Sequence, residues 1–304
     1  MVRLGGQNQM EVYLTGATGY IGSSVAEALQ KAGHKVTGLA RTPEKAKQIE
    51  ARGVRACLGD LLKPETVAAP ARAAEGVIHT ANTNDANSAQ ADAAAVRAIL
   101  KSLEGSGKPF VYTSGVWVLG STGSKVADER TPLNPTPLVA HRAAIEQEVL
   151  GYKDRGVRAI VIRPALVYGR GGSIPKMIAQ SARETGAARY VGDGENRWPF
   201  VDVDDLAQLF VLALEKAPPG SLYHAAHGPS YRVREVAEAA SIGAGAKGKV
   251  QATPLDEARK TMHAFADALV LDQQVSGEKA KKELGWKPRA GSVLEDLKTG
   301  SYAR

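Results

Sequence analysis

Three glycines spaced three apart, Gly16, Gly19 and Gly22, stand between an apolar run and a segment of helical periodicity. The run is Val12, Tyr13 and Leu14; the periodic residues that follow are Ile21, Val25 and Leu29. This reads as a strand, a tight turn and a helix. In such a unit the first glycine permits the turn and the second lets the backbone approach a pyrophosphate. The third lets helix and strand pack closely. The start of the helix then offers free N–H groups and the positive end of its dipole to the phosphates. Glycines alone mark ordinary turns. The flanking strand and helix are what point to dinucleotide binding by Gly16, Thr18, Gly19, Tyr20, Ile21 and Gly22.

The same alternation continues. Apolar runs at Lys35–Ala40, Val54–Leu58, Gly76–Thr80, Phe110–Ser114 and Arg158–Arg163 are separated by helical segments. Those segments are Tyr20–Ala32, Pro43–Arg52, a short helix from Pro64, Asn87–Glu104, and Pro137–Arg155. Strands alternating with helices predict a parallel sheet covered on both faces, and right-handed crossovers make it doubly wound. The fold class is therefore α/β: a Rossmann-type doubly wound parallel sheet with a smaller C-terminal α/β cap. Residues 10–165 form the dinucleotide-binding Rossmann domain. Residues 166–304 form mainly a substrate-binding cap, with some segments returning to the core. Helices are expected there at Val203–Lys216, Arg232–Ala240, Leu255–Leu269 and Ser276–Leu284. Pro218, Pro219 and Gly220 stop the first of them.

Composition narrows the function classes. In 304 residues no stretch approaches the roughly 20 apolar residues that span a bilayer. Met1–Gln9 lacks the apolar core of a signal peptide and reads as a loose extension, with Met10 an alternative start. The single Cys57 excludes an intrachain disulfide, so a reducing cytoplasm is the expected location. Cys57 lies in an apolar stretch and reads as an inert thiol. The net charge of +7 comes from scattered Lys and Arg without a nucleic-acid motif. Neither nucleic acid, membrane nor metal is an expected partner; a small-molecule substrate is.

The Gly-x-x-Gly-x-x-Gly spacing after Thr15 resembles the extended and atypical short-chain dehydrogenase/reductase superfamily, which includes nucleotide-sugar epimerases and flavonoid reductases. Further segments carry the resemblance along the chain. They are Arg163-Pro164-Ala165-Leu166-Val167-Tyr168-Gly169-Arg170-Gly171, the stretch from Gly192 to Ala207, and Gly285-Trp286-Lys287-Pro288. The last matches the closing motif of a complete member. The resemblance implies that Pro164, Ala165 and Leu166 pass near the nicotinamide, and that Asp60 and Leu61 lie along the adenine. Asp60 also suits an Asx turn ahead of Pro64. Thr80, Ala81 and Asn82 would pass beneath ribose and phosphates. His79, inside an apolar strand, reads as a packed core histidine.

An NAD-selecting enzyme carries a carboxylate at the end of the second strand, on the ribose hydroxyls. Here that strand ends in Ala40, Arg41 and Thr42. Arg41 is placed to pair with a 2′-phosphate, which points to NADP(H).

The superfamily site consists of a tyrosine proton donor, a lysine four residues later, and a serine or threonine after the fifth strand. Glu146 fixes the alignment, which places Leu138 at the tyrosine and Arg142 at the lysine. The serine position falls on Gly115 or, with a shift of one, on Ser114. Arginine can hold the ribose hydroxyls but cannot relay protons, because its pKa is too high. Candidate catalytic residues are Ser114, Thr113, Arg142, His141 and Tyr168, with Thr113 and Arg142 also facing the cofactor. Tyr168 equally reads as a packed tyrosine and His141 as a helix-surface histidine. Ser114, Val116, Trp117, Leu138, Tyr168, Arg197 and Trp198 are candidates for the substrate. Asp204 or Asp205 is expected to cap the helix from Val203.

These residues imply an NADP(H)-dependent oxidoreductase moving a hydride to or from a small or medium carbonyl, imine or activated alkene, with a non-standard proton donor. The alternatives are a sugar-nucleotide epimerase/dehydratase-like enzyme and a non-catalytic NADP-binding sensor. The resemblance also implies a homodimer paired through the fourth and fifth crossover helices.

Overall fold

The computed structural model describes residues 9–83 and 85–303. Nearly all of the expected N-terminal extension lies outside these residues. The first half alternates strands and helices: β1 (Glu11–Thr15), α1 (Tyr20–Lys31), β2 (Lys35–Ala40), α2 (Pro43–Glu50), β3 (Arg55–Leu58), α3 (Pro64–Ala73), β4 (Gly76–His79), α4 (Ser88–Leu103) and β5 (Pro109–Thr113). After a short bridge, β6 (Val126–Ala127), come α5 (Ala140–Gly151), β7 (Arg158–Pro164) and β8 (Leu166–Tyr168). Next are α6 (Ser173–Thr185), β9 (Ala188–Val191), β10 (Arg197–Trp198), β11 (Phe200–Asp202), α7 (Val203–Lys216) and β12 (Ser221–Ala225). The chain closes with β13 (Tyr231–Arg232), α8 (Val233–Gly243), β14 (Val250–Thr253), α9 (Leu255–Met262), α10 (Ala264–Leu269), β15 (Gln274–Val275), α11 (Glu278–Leu284) and α12 (Val293–Thr299).

Seven strands form one sheet in the order β12-β7-β5-β4-β1-β2-β3. The pairings from β7 through β3 are parallel, as the alternation of strands and helices requires. Leu14 stands beside Gly38 on one side and Ile78 on the other, so the carboxyl ends of β1, β2 and β4 finish level. That register brings the glycine loop, Arg41 and Thr80 to one edge of the sheet.

The chain divides into two compact units. The first comprises the residues up to Ser114, Ala144–Ile162 and Ala207–Leu222. Its core gathers Tyr13, Val77, Ile99, Leu100, Phe110, Tyr112, Val149 and Val161. Full burial of aliphatic side chains of this kind contributes about 1.5–3 kcal/mol each.

The second unit comprises Gly115–Ala143, Arg163–Leu206 and Tyr223–Arg304. Helices α6 and α12 both pack on α8, and β9 pairs in parallel with β14. Its core holds Tyr168, Tyr190, Trp198, Phe200, Val236 and Leu297. Two of the quoted motifs meet inside this unit. Trp286 donates its indole N–H to the Asp205 carbonyl at 2.8 Å. The Asp205 carboxylate accepts the N–H groups of Arg289 (2.9 Å) and Ala290 (2.9 Å).

Several expected elements differ from those observed. The cap of α7 is Asp202, whose Oδ1 accepts from the N–H groups of Asp204 (2.7 Å) and Asp205 (3.2 Å). Asp205 is instead used up by the C-terminal motif. The helix expected over Leu255–Leu269 is two helices, broken at His263 with φ +49°. The helix expected from Pro137 to Arg155 begins and ends in 3-10 turns, Pro137–Val139 and Tyr152–Arg155, around α5.

Candidate functional site

One cavity of about 360 Å³ lies on the first unit at the carboxyl ends of β1 to β4. It is lined by Gly16, Thr18, Gly19, Tyr20, Ile21, Gly22, Arg41, Asp60, Leu61, Thr80, Ala81 and Asn82, together with Leu39, Lys45, Gly59 and Thr83. The first twelve are the cofactor candidates from that part of the sequence. Helix α1 points its start at the cavity with no side-chain cap and no acidic residue in its first turn. A helix start of this kind, with its N–H groups and the positive end of its dipole, favours an anion there.

The loop's glycines have different reasons. Gly16 has φ +80°, and a Cβ on it would lie 2.7 Å from Thr80 Oγ1. A Cβ on Gly22 would lie 2.1 Å from the Gly16 carbonyl oxygen, so helix and loop touch there. Gly19 differs: a Cβ would meet only the Gly16 oxygen, at 3.2 Å. The protein's own packing explains Gly16 and Gly22. Gly19 faces the open cavity, where a small residue leaves room for a ligand's phosphates. On this ground the residues fit a dinucleotide.

At the end of β2, Thr42 accepts the Lys45 N–H and caps α2; Arg41 and Lys45 both line the cavity, the Lys45 ammonium donating to Gln48 Oε1 at 3.1 Å. Two cations thus line one end of the cavity. Asp60 is the acidic lining residue, and it does make the Asx turn: its Oδ1 accepts the Leu62 N–H at 3.0 Å. Lys45 had a signal in the sequence, four residues after Arg41 at a helix start.

His79 lies beneath this cavity, 1% exposed. Its Nδ1 is 2.8 Å from Thr15 Oγ1 and its Nε2 is 3.1 Å from Asp92 Oδ1. Tyr112 donates its hydroxyl to Asp92 Oδ2 at 2.7 Å. With Asp92 accepting on both oxygens, His79 Nε2 donates to Asp92, and Nδ1 shares a hydrogen bond with the Thr15 hydroxyl. The Thr15 carbonyl in turn accepts the Thr80 hydroxyl at 2.8 Å. His79 is thus a packed core histidine, whose partners Asp92 and Tyr112 are separated from it by 13 and 33 positions in sequence.

The candidates for the reacting end are described unit by unit. In the first unit, Thr113 closes β5 half-buried. Ser114 extends the ladder, its N–H donating to the Ile162 carbonyl at 2.8 Å. In the second unit, Gly115 is extended, and a Cβ there would meet nothing nearer than the Pro164 oxygen at 3.9 Å. Packing therefore does not require glycine at 115. Leu138 sits in the turn Pro137–Val139, 36% exposed. Arg142, half-buried, follows one turn later in α5, beside half-buried His141. Val116, Pro164, Ala165 and Leu166 are buried.

Tyr168 gives its hydroxyl to the Gly291 carbonyl and packs edge-on to Phe200. Burial pushes its phenol pKa well above the usual value. It is a packed tyrosine rather than a poised acid. Trp198 is 2% exposed, with its indole N–H on the Leu269 carbonyl at 3.1 Å. It is a core residue, not a wall of an open cleft. Arg197 is half-buried, and its backbone N–H donates to Asp272 at 2.7 Å.

Residues 12–226 match the model of the NAD dependent epimerase/dehydratase family. An uncharacterized protein of Saccharomyces cerevisiae is 36% identical over 297 residues, covering 95% of this chain and 98% of its own length. The 4-hydroxy-2-methyl-3-oxo-4-farnesyl-3,4-dihydroquinoline-1-oxide ketoreductase of Stigmatella aurantiaca is 26% identical over 311 residues, covering 92% of each chain. Among solved structures, the UDP-glucose 4-epimerase of Thermus thermophilus in complex with NAD is similar in fold. Its TM-score is 0.81 at 22% identity, with 97% of this chain and 99% of that one covered. The cavity, the sheet order and these matches agree: the chain belongs to the NAD-dependent epimerase/dehydratase family.

Proposed function

We propose that the protein is an NADP(H)-dependent oxidoreductase that moves a hydride to or from a small or medium carbonyl, imine or activated alkene. The observation that carries this reading is the cavity with the α1 start at one end and Arg41 and Lys45 at the other. Gly16, Gly19, Gly22 and the α1 N–H groups hold the pyrophosphate. Arg41 and Lys45 hold a 2′-phosphate. No carboxylate stands at the end of β2 to take the ribose hydroxyls of NAD. The bound cofactor supplies the hydride chemistry. Thr80 to Asn82, which line the same cavity, lie along the ribose side. The ketoreductase activity named for the Stigmatella aurantiaca relative supports carbonyl reduction.

Leu138 has no proton to exchange, so the proton comes from Ser114, Thr113, His141 or water. Epimerase and dehydratase chemistry removes a proton from a substrate hydroxyl, and Leu138 supplies no base for it. The same leucine favours a second reading, a dinucleotide-binding protein without catalysis.

Titrating the protein with NADPH and NADH, followed by NADPH oxidation against a panel of ketones, imines and enones, tests both. We expect NADPH to bind at least tenfold tighter than NADH, and Arg41→Ala to erase most of that ratio. Equal affinities, unchanged in Arg41→Ala, would sink the NADP assignment. Tight NADPH binding without oxidation by any member of the panel would favour the non-catalytic reading.

A further inference from the structure

Among the apolar side chains of the second unit that keep surface in solvent, three on separate segments lie close together, and two of them, Trp117 and Phe265, also pack on that unit's core. Trp117 belongs to the 3-10 turn Val116–Leu119, Leu138 to the turn Pro137–Val139, and Phe265 to α10. The Trp117 and Phe265 rings meet edge to face with centroids 6.0 Å apart, and α10 packs against the Pro137–Val139 turn. Trp117 and Phe265 are only half-buried, and Leu138 is 36% exposed. The other two tryptophans, Trp198 and Trp286, are both buried. Leu138 stands where the resemblance places a polar proton donor. The neighbouring side chains Trp117 and Phe265 are apolar as well.

Phe265 lies two residues past a sharp joint in the chain. Helices α9 and α10 join at His263, whose φ of +49° is unusual for a side chain with a Cβ. Arg259 forks across the joint, with Nη1 2.7 Å from Asp256 and Nη2 2.6 Å from Asp267. Through Asp267 the fork ties α10, which carries Phe265, to α9. A contiguous apolar patch left partly in solvent marks an interaction or ligand-binding surface.

We propose that Trp117, Leu138 and Phe265 form an apolar wall that takes the aryl or alkyl part of an uncharged ketone. This deepens the oxidoreductase reading and rests on it. Such a wall rewards each added methylene with burial and gives nothing to a sugar nucleotide's hydroxyls and phosphates.

Trp117 supplies the test, because the other two tryptophans are buried. The full chain, with and without saturating NADP⁺, is titrated with 2-alkanones of increasing length while tryptophan emission is followed. We expect saturable quenching, tightening about threefold to fourfold per methylene until the wall is covered. Trp117→Phe should remove the signal. Phe265→Ala should weaken the longer ketones at least tenfold, and Phe265→Leu should restore most of that loss. Linear collisional quenching alone, an affinity independent of chain length, or tighter binding of UDP-glucose than of any ketone would overturn the proposal. If Phe265→Ala does not fold, the wild-type length series and Phe265→Leu still decide. NADPH binding is measured separately by calorimetry. NADPH binding without ketone binding refutes the wall alone, and ketone binding without NADPH binding refutes the cofactor reading.

Discussion

His224 has no exposed surface, and its Nε2 lies 3.3 Å from the Arg163 guanidinium. Burial first, and then the Arg163 charge, hold its pKa down to about 3 from an ordinary 6.5. The unfolded chain binds a proton on this ring below about pH 6.5, and the folded chain does not. Stability from this group is thus full above that pH and is lost as pH falls toward about 3. Urea melts between about pH 6 and pH 4 should show His224→Gln losing less stability on acidification than wild type. The difference in slope approaches about 1.4 kcal/mol per pH unit. Glu129 accepts the His224 N–H, and burial pushes its carboxyl up, so it acts in the opposite direction. Comparing variant with wild type isolates the ring. Identical slopes would refute the assignment. Neither residue stood out in the sequence, since what makes His224 unusual is Arg163, sixty-one positions away.

The glycine loop and α1 act as one element, and its glycines should separate in experiment. Gly22→Ala places a methyl 2.1 Å from the Gly16 oxygen, so α1 must leave the loop. We expect a loss of about 3 kcal/mol, with cofactor affinity falling alongside. Gly19→Ala has φ −80° and one contact at 3.2 Å to relieve. Its stability should change by no more than about 1 kcal/mol, while NADPH binds at least tenfold more weakly. Thermal melts and titrations of both variants check this; equal destabilisation would show that Gly19 serves packing alone. This element was readable because its meaning is local: strand, turn and helix are adjacent in the chain. Helix α6 was not, since Gly171, Gly172 and Pro175 around its start read as a loop. Strand β12 was hidden behind the Pro218-Pro219-Gly220 stop. The break at His263 lies inside an uninterrupted helical pattern, and only the Arg259 fork explains how it is held.

At the scale of the molecule, the second unit depends on its last residues. Trp286 is 1% exposed and bonded to Asp205, and Tyr302 donates to the Gly172 carbonyl at 2.8 Å. Trp286→Ala should cost about 3–5 kcal/mol. Limited proteolysis of that variant should cut first within residues 163–206 and 223–304. Early cuts within residues 11–114 would contradict it. The motifs around Asp205 and Trp286 were visible as sequence, but their mutual contact was not, because eighty-one positions separate them.

The strand order also bears on how the chain is made. With β1 near the middle, β2 and β3 add outward on one side, and β4, β5, β7 and β12 add outward on the other. A nascent chain leaving the ribosome therefore brings each strand to a neighbour already synthesised, and no strand of the sheet has to be inserted between two that have paired. The cavity at the carboxyl ends of β1 to β4 is lined by residues 16–83 alone, so its walls have emerged while most of the second unit is still untranslated.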